Sequence, residues 1–270
     1  MLGYVNESCV GGETALRFVD TARLRTLDTV PLLPNGTIEA TRWLDRRHLL
    51  AVVERSDCIS DKDTVVYAVD AASQRVVSRT PLRGDVVGVA RARGALVLLV
   101  APRNRIGTAS LVTVDATGNL RRVALRGISV GIRRPRVIGG TSTLPRTDVP
   151  GLTVSGDRAV VVPPEGPVAV VDLATLRVTR HAIRAARSLS KEATGPFRTA
   201  VTLADGLIAV TGWNFGFSNG RSRWNGAGVE LVDSHTWRFR RIAPGAESVV
   251  PAGGILLTTV RAATRSRLTR

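Results

Sequence analysis

Apolar and polar residues alternate along this chain in short runs, and five of the runs end in Val-Asp. The pair occurs at Val19-Asp20, Val69-Asp70, Val114-Asp115, Val171-Asp172 and Val232-Asp233, at spacings of 50, 45, 57 and 61 residues. A two-residue alternation predicts strands. The aspartate after each run predicts a turn, its carboxylate accepting a backbone N–H two residues on. Ser73, Thr175 and Thr236 stand three residues past their aspartates and Gly118 takes that place after Asp115, while Arg23 departs from the pattern. The clearest unit runs over 152–162, split by Gly156-Asp157, then 168–172, then 176–183. It reads as four short strands, A to D, with Gly156-Asp157 as a tight A–B hairpin. Strand B recurs at 49–53, 95–100, 207–211 and 255–260, and strand C at 65–69, 110–114 and 229–232. No helix of convincing length is predicted.

One antiparallel quartet cannot bury both of its faces, so successive units have to stack. A repeat of roughly 40–60 residues made only of strands and turns is the mark of a β-propeller. The fold class expected is therefore all-β, a β-propeller of about six four-stranded blades. It is expected as one domain over 1–260, with units near 1–33, 37–83, 85–127, 150–184, 198–243 and 246–260, and a basic tail at 261–270. The first unit carries only strands B, C and D, with 2–5 as a weak B. The last carries only A and B. Joining the two leaves one B strand over, so the propeller is expected to be incomplete at one or both ends, the chain being a fragment of a longer one. Apolar residues make up 44% of the 270 and aromatics only 4%. The core therefore has to be built from Val, Leu, Ala and Ile.

The segment Val168-Ala-Val-Val-Asp-Leu-Ala-Thr-Leu-Arg-Val178 resembles the repeat of the YVTN-type and quinoprotein-like (WD40-like) propeller superfamily, an apolar strand ending in Asp and followed by a short turn with Thr. Val65-Val-Tyr-Ala-Val-Asp-Ala-Ala-Ser-Gln-Arg-Val76 is similar to the pyrroloquinoline-quinone type of repeat, without its Thr-Gly and following Trp. The resemblance covers nearly the whole chain and is architectural. It implies a fold whose members include cofactor-binding dehydrogenases, lactonases and non-catalytic binding proteins, and so it does not choose among functions.

The formal charge is +16, and Lys62 and Lys191 are the only lysines. Such a skew towards Arg, with abundant Ala, Val and Gly, points to a GC-rich bacterial genome. It also admits an anionic partner. Many arginines fall on strand D (Arg75, Arg79, Arg121, Arg122, Arg177, Arg180, Arg238, Arg240, Arg241), the expected outer edge, where charge discourages edge-to-edge pairing. Cys9 and Cys58 lie 11 and 12 residues before Asp20 and Asp70. Matched positions in consecutive repeats predict a disulfide between them, and with it an oxidising compartment. Two reduced cysteines in a cytoplasmic protein are the alternative. No signal peptide is visible at Met1, so an exported protein would carry that segment upstream.

In a four-strand blade the B–C and D–A loops leave the same face, and the insertions fall in those loops. The fifth B–C loop, 213–228, carries Trp213, Phe215, Phe217 and Trp224, with Arg221 and Arg223 among them. These aromatics either plug the loop onto the blade or form a platform for a sugar, a peptide or a base. A D–A segment, 126–150, carries Arg133, Arg134 and Arg136, read as an exposed loop or as an anion site. Gly127-Ile-Ser-Val-Gly131 fits G-x-S-x-G by letter but lacks the strand–turn–helix context that chemistry needs. His48, His181 and His235 have no ligand spacing, and His181 is expected to be solvated. Asp57, Asp61 and Asp63 cluster beside Cys58 without a calcium-loop pattern. No cofactor, metal or catalytic residue is expected. The leading expectation is a monomeric, non-catalytic propeller of an extracytoplasmic protein, binding a protein, peptide or glycan through that face. A propeller enzyme (lactonase-like or quinoprotein-like) is the alternative, and an anionic-polymer or nucleic-acid module the third. Nucleic acid is the least favoured partner, given the expected export.

Overall fold

A computed structural model describes residues 2–4, 13–34, 36–55, 64–103, 105–133, 137–138, 141–142, 146–164, 166–182, 193–203, 206–218, 221–252 and 255–260. Every regular element of any length in them is a strand, and almost every sheet is an antiparallel meander. Strands β1 (Leu2–Tyr4), β2 (Glu13–Asp20) and β3 (Arg25–Pro34) make the first. The second holds β4 (Gly36–Trp43), β5 (His48–Arg55), β6 (Thr64–Asp70) and β7 (Arg75–Leu82). The third holds β8 (Asp85–Ala92), β9 (Ala95–Ala101), β10 (Gly107–Asp115) and β11 (Leu120–Arg133). Two-residue strands β12 (Val137–Ile138) and β13 (Thr141–Ser142) pair with each other, and β14 (Arg146–Asp148) pairs with the end of β11. Then come β15 (Gly151–Ser155), β16 (Arg158–Val162), β17 (Val168–Asp172) and β18 (Val178–His181). The next sheet holds β19 (Ala193–Thr202), β20 (Leu207–Ser218), β21 (Arg221–Gly226), β22 (Val229–Asp233) and β23 (Phe239–Ala243). Strands β24 (Ala246–Ala252) and β25 (Ile255–Val260) form the last pair.

The chain divides into two compact units, Met1–Gly127 with Leu173–Leu176, and Ile128–Asp172 with Arg177–Arg270. In the first, β5, β6 and β9 are buried along almost their whole length rather than on alternate residues. Parity explains this. Leu49, Ala51 and Val53 pack against Leu16, Phe18, Val30 and Leu32 of the first sheet. Leu50 and Val52, on the other face of the same strand, pack against Leu96, Leu98, Val100 and Val112 of the third. A strand covered on both faces reads as a continuous apolar run, and Leu49-Leu-Ala-Val-Val53 is such a run. The second unit repeats the device with smaller residues. Val160, Val162, Val168 and Val170 pack on Ile208, Val210 and Val232. Ala209 and Val229, on the other side of that sheet, meet Ala246 and Val249.

The expected aspartate turns are present. The Oδ1 atoms of Asp20, Asp70, Asp115 and Asp233 accept the N–H two residues on, at 3.0, 2.9, 2.9 and 2.7 Å. The next N–H along also reaches the carboxylate at Arg23, Ser73 and Thr236. Since the amide makes that bond, Arg23 fills the position as well as Ser or Thr does. The fourth residue past the aspartate turns left-handed at Leu24, Gln74, Leu176 and Trp237.

Asp70 also accepts from Arg47 Nε and Nη2, at 2.8 and 2.5 Å. That hydrogen bond, followed by the amides of Ala72 and Ser73, holds the Asp70 carboxyl well below the usual carboxylate range against the effect of desolvation. His48, through its ring and its amide, lowers Asp45 to about 2. For Asp115 partial burial works the other way, but the Thr117 hydroxyl and the Asn119 and Thr117 amides outweigh it and lower it. The His235 and Thr236 amides lower Asp233. Each folded carboxyl therefore lies below its ordinary value of 3.8. The stabilisation is complete above that value and is lost as pH falls through the depressed range. We expect Asp70→Asn to lower the denaturation midpoint at pH 6, with the gap from the unaltered protein narrowing steadily towards pH 2. A gap of the same size at both pH values would show that the Arg47 ion pair is not its source.

Candidate functional site

The end of each sheet where the B–C and D–A connections leave carries two built features, one in each unit. In the first unit a cleft of about 970 Å³ opens between the β4–β7 and β8–β11 sheets. The β7–β8 connection, with Arg83 and Gly84, is part of its lining. Gly84 there has φ +117°, and a Cβ on it would overlap the carbonyl oxygen of Ala101 and stand 2.7 Å from Val100 Cγ1. Thr64 Oγ1 donates to the Gly84 carbonyl at 3.2 Å, and Arg122 Nη2 donates to the Arg83 carbonyl at 2.7 Å. The lining includes Arg83, Arg103, Arg105 and Arg122, and no carboxylate lines it among the described residues. Arg83, Arg105 and Arg122 are exposed and Arg103 is half-buried.

The second feature is the aromatic segment of the second unit. Read from composition as a loop, it is paired strand. β20 continues to Ser218, and β21 returns along it with Phe215 opposite Trp224, Gly216 opposite Arg223 and Ser218 opposite Arg221. On its other side β20 pairs with β19 as far as Gly216 opposite Ala193. Opposed residues of an antiparallel pair share a face, and alternate residues change face. Positions 213, 215, 217 and 224 therefore have one parity, and 221 and 223 the other. The indole of Trp213, half-buried, stacks on Phe197 directly across the β19–β20 ladder, with ring centroids 3.9 Å apart. Its ring thus has a partner within its own sheet.

Arg133 ends β11 opposite Arg146, so the segment 126–133 is strand rather than loop. Gly127 to Gly131 lies inside that strand, not at a strand-to-helix turn. Arg134 and Arg136 lie outside the described residues, as do Cys9, Cys58, Asp57, Asp61 and Asp63. The nine arginines expected on strand D are all exposed. β7, β18 and β23 are edge strands of their sheets, Arg177 and Arg238 stand just before β18 and β23, and β11, with Arg121 and Arg122, carries β14 on its outer side at 131–133. His181, expected to be solvated, instead stacks on Trp237, with centroids 4.2 Å apart and planes 15° off parallel. Burial, and then the charge of Arg158, hold its pKa below the ordinary value. His48 is held by Asp45 at 2.8 Å. Among the described residues no three His, Cys, Asp or Glu side chains group as a metal site, and no helix is long and apolar enough to cross a membrane.

No protein-family model matches the chain, and no curated protein matches it in sequence. Solved structures do match in fold. The Dos1 propeller superposes with a TM-score of 0.51 over 88% of this chain and 59% of that one, at 11% identity. BamB from Moraxella catarrhalis gives 0.42 over 96% and 82%, at 11% identity. The β-propeller domain of Cps50 (Swd1) from Myceliophteria thermophila gives 0.48 over 84% and 64%, at 15% identity. The chain thus spans 59% of the length of the Dos1 propeller chain. At such identity the likeness is one of fold alone. All-β meanders, mostly of four strands, stacked face on face within each unit, together with the superposition on the Dos1 propeller, show that this chain has the β-propeller fold its Asp-terminated repeats resemble.

Proposed function

We propose that the chain is a non-catalytic binding propeller that holds a protein, peptide or glycan partner at the end of the blades where the B–C and D–A connections leave. One observation carries the reading. The β19–β20–β21 ladder runs past the rest of its sheet at that end, β20 being 12 residues long where β22 and β23 are five. A hydrogen-bonded projection is already ordered before it meets a partner, so less conformational entropy is lost on binding. Aromatic positions on it offer large contact area with few rotatable bonds. The turn at the opposite end of the same sheet, 234–236, is short and closed on itself by Asp233.

Site-specific photocrosslinking in cells that make the protein tests this. A photoreactive residue replacing Trp224 should give discrete higher-mass adducts, and one replacing Thr236 should give none. Equal adducts at both positions would remove the assigned face. An extracytoplasmic setting is part of the proposal and rests on the matched spacing of Cys9 and Cys58. Thiol titration of native protein should then find no free thiol; two would contradict it.

A further inference from the structure

The arginine-lined cleft belongs to the other unit and does not depend on the hairpin reading. Four of its lining residues are Arg83, Arg103, Arg105 and Arg122, drawn from three separate stretches of chain. Of the four, Arg122 alone lies in a strand, β11, which β14 covers only at 131–133, so the anti-aggregation role of arginine at a sheet edge reaches it alone. Arg83 sits in the β7–β8 connection, and Arg103 and Arg105 in the β9–β10 connection, so none of these three guards a sheet edge. Arg83, Arg105 and Arg122 are exposed like charges around one cavity, and an anion entering it lowers their mutual repulsion. The guanidinium fork matches phosphate oxygens two at a time. Thr108 and Ser110 add uncharged hydroxyl donors to the same lining. The cavity, about 970 Å³, is at the upper end of small-ligand sites. It is bounded by two neighbouring sheets, which suits a compact ligand better than a long polymer track.

We infer that this cleft is a binding site for a small soluble ligand carrying closely spaced phosphate groups. The bonds from Thr64 to the Gly84 carbonyl and from Arg122 to the Arg83 carbonyl fix the connection that presents Arg83. The site is therefore largely formed before the ligand arrives.

Calorimetric titration of the full chain with inorganic tripolyphosphate at physiological salt tests it. One saturable site per chain is expected. Exchanging Arg83 and Arg105 together for Gln should weaken binding by about tenfold or more, because each guanidinium contributes charge-assisted bonds. Exchanging Arg75 and Arg93 for Gln removes the same charge from the opposite end of the same two sheets and should leave the affinity within about twofold. Thr108→Glu, at an exposed position, places a carboxylate in the cleft and should abolish binding without touching the core. Absence of a saturable site overturns the assignment, as does equal weakening by both double exchanges. So does tighter binding of heparin or single-stranded DNA with equal loss in both pairs, since diffuse basicity would then be the cause. Capture on phosphatidic-acid vesicles that tripolyphosphate does not compete would place the chemistry on a lipid surface instead and also overturn it. None of these results bears on crosslinking at Trp224.

Discussion

Replacing Leu98 with alanine is expected to cost about 3–5 kcal/mol of stability. Leu98 is fully buried on β9. Its strand lies between β8 and β10, and its side chain packs against Leu50, Val52 and Val66 of the neighbouring sheet. Two sheets pressed face to face close poorly over a missing isobutyl group, since a shift that fills the gap at one position opens another along the ladder. The cavity penalty therefore adds to the lost transfer free energy. Leu257→Ala on β25 is the control. That side chain is 54% exposed, and its truncation should cost about 0.5 kcal/mol. Chemical denaturation of the two variants reads the difference directly. A loss below about 1.5 kcal/mol for Leu98→Ala would mean that the sheets are not packed as described.

The second large effect is at Gly84. Its φ of +117° is one that L side chains rarely adopt, and an added Cβ would overlap the Ala101 carbonyl. Backbone strain costs about 1–3 kcal/mol and overpacking adds a similar amount. We expect Gly84→Ala to lose about 3 kcal/mol or more in total. Gly94 separates the two contributions. It also has positive φ, +72°, but nothing lies within 4 Å of its virtual Cβ. Gly94→Ala should therefore show the conformational cost alone, about 1–2 kcal/mol. Equal losses at the two positions in thermal melts would mean that the close approach to Ala101 is not real. If the cleft reading holds, Gly84→Ala should also weaken tripolyphosphate binding, because it moves the connection that carries Arg83.

Much of the fold was legible because its signals are local. The aspartate turn is closed by a carboxylate and amides two or three residues away, so a dipeptide reports it. Leu49 to Val53 reports a strand because both faces are covered. The hairpin β20–β21 was hidden by composition, since a stretch of Gly, Asn and Ser reads as loop. Its signal was nevertheless present. Asn219-Gly220, between alternating Phe215-x-Phe217 and Arg221-x-Arg223, is the pair favoured in two-residue hairpins. The cleft was hidden for a different reason. Arg133 and Arg134 form a basic cluster by adjacency in the sequence alone. Arg83 and Arg105 stand 22 positions apart, and only the order of connections at one end of two sheets brings them to one cavity. The stacking of His181 on Trp237 is likewise a meeting of two repeats, invisible within either.

Burial of β5 on both faces has a further consequence for how motion could be followed. Leu49 and Leu50 are one peptide bond apart, yet their methyl groups belong to different clusters, one shared with β2 and β3 and the other with β9 and β10. Isotope labels on these two leucines would act as opposed sensors on a single strand. Loosening of the first sheet would broaden the Leu49 methyl resonances, and loosening of the third would broaden those of Leu50.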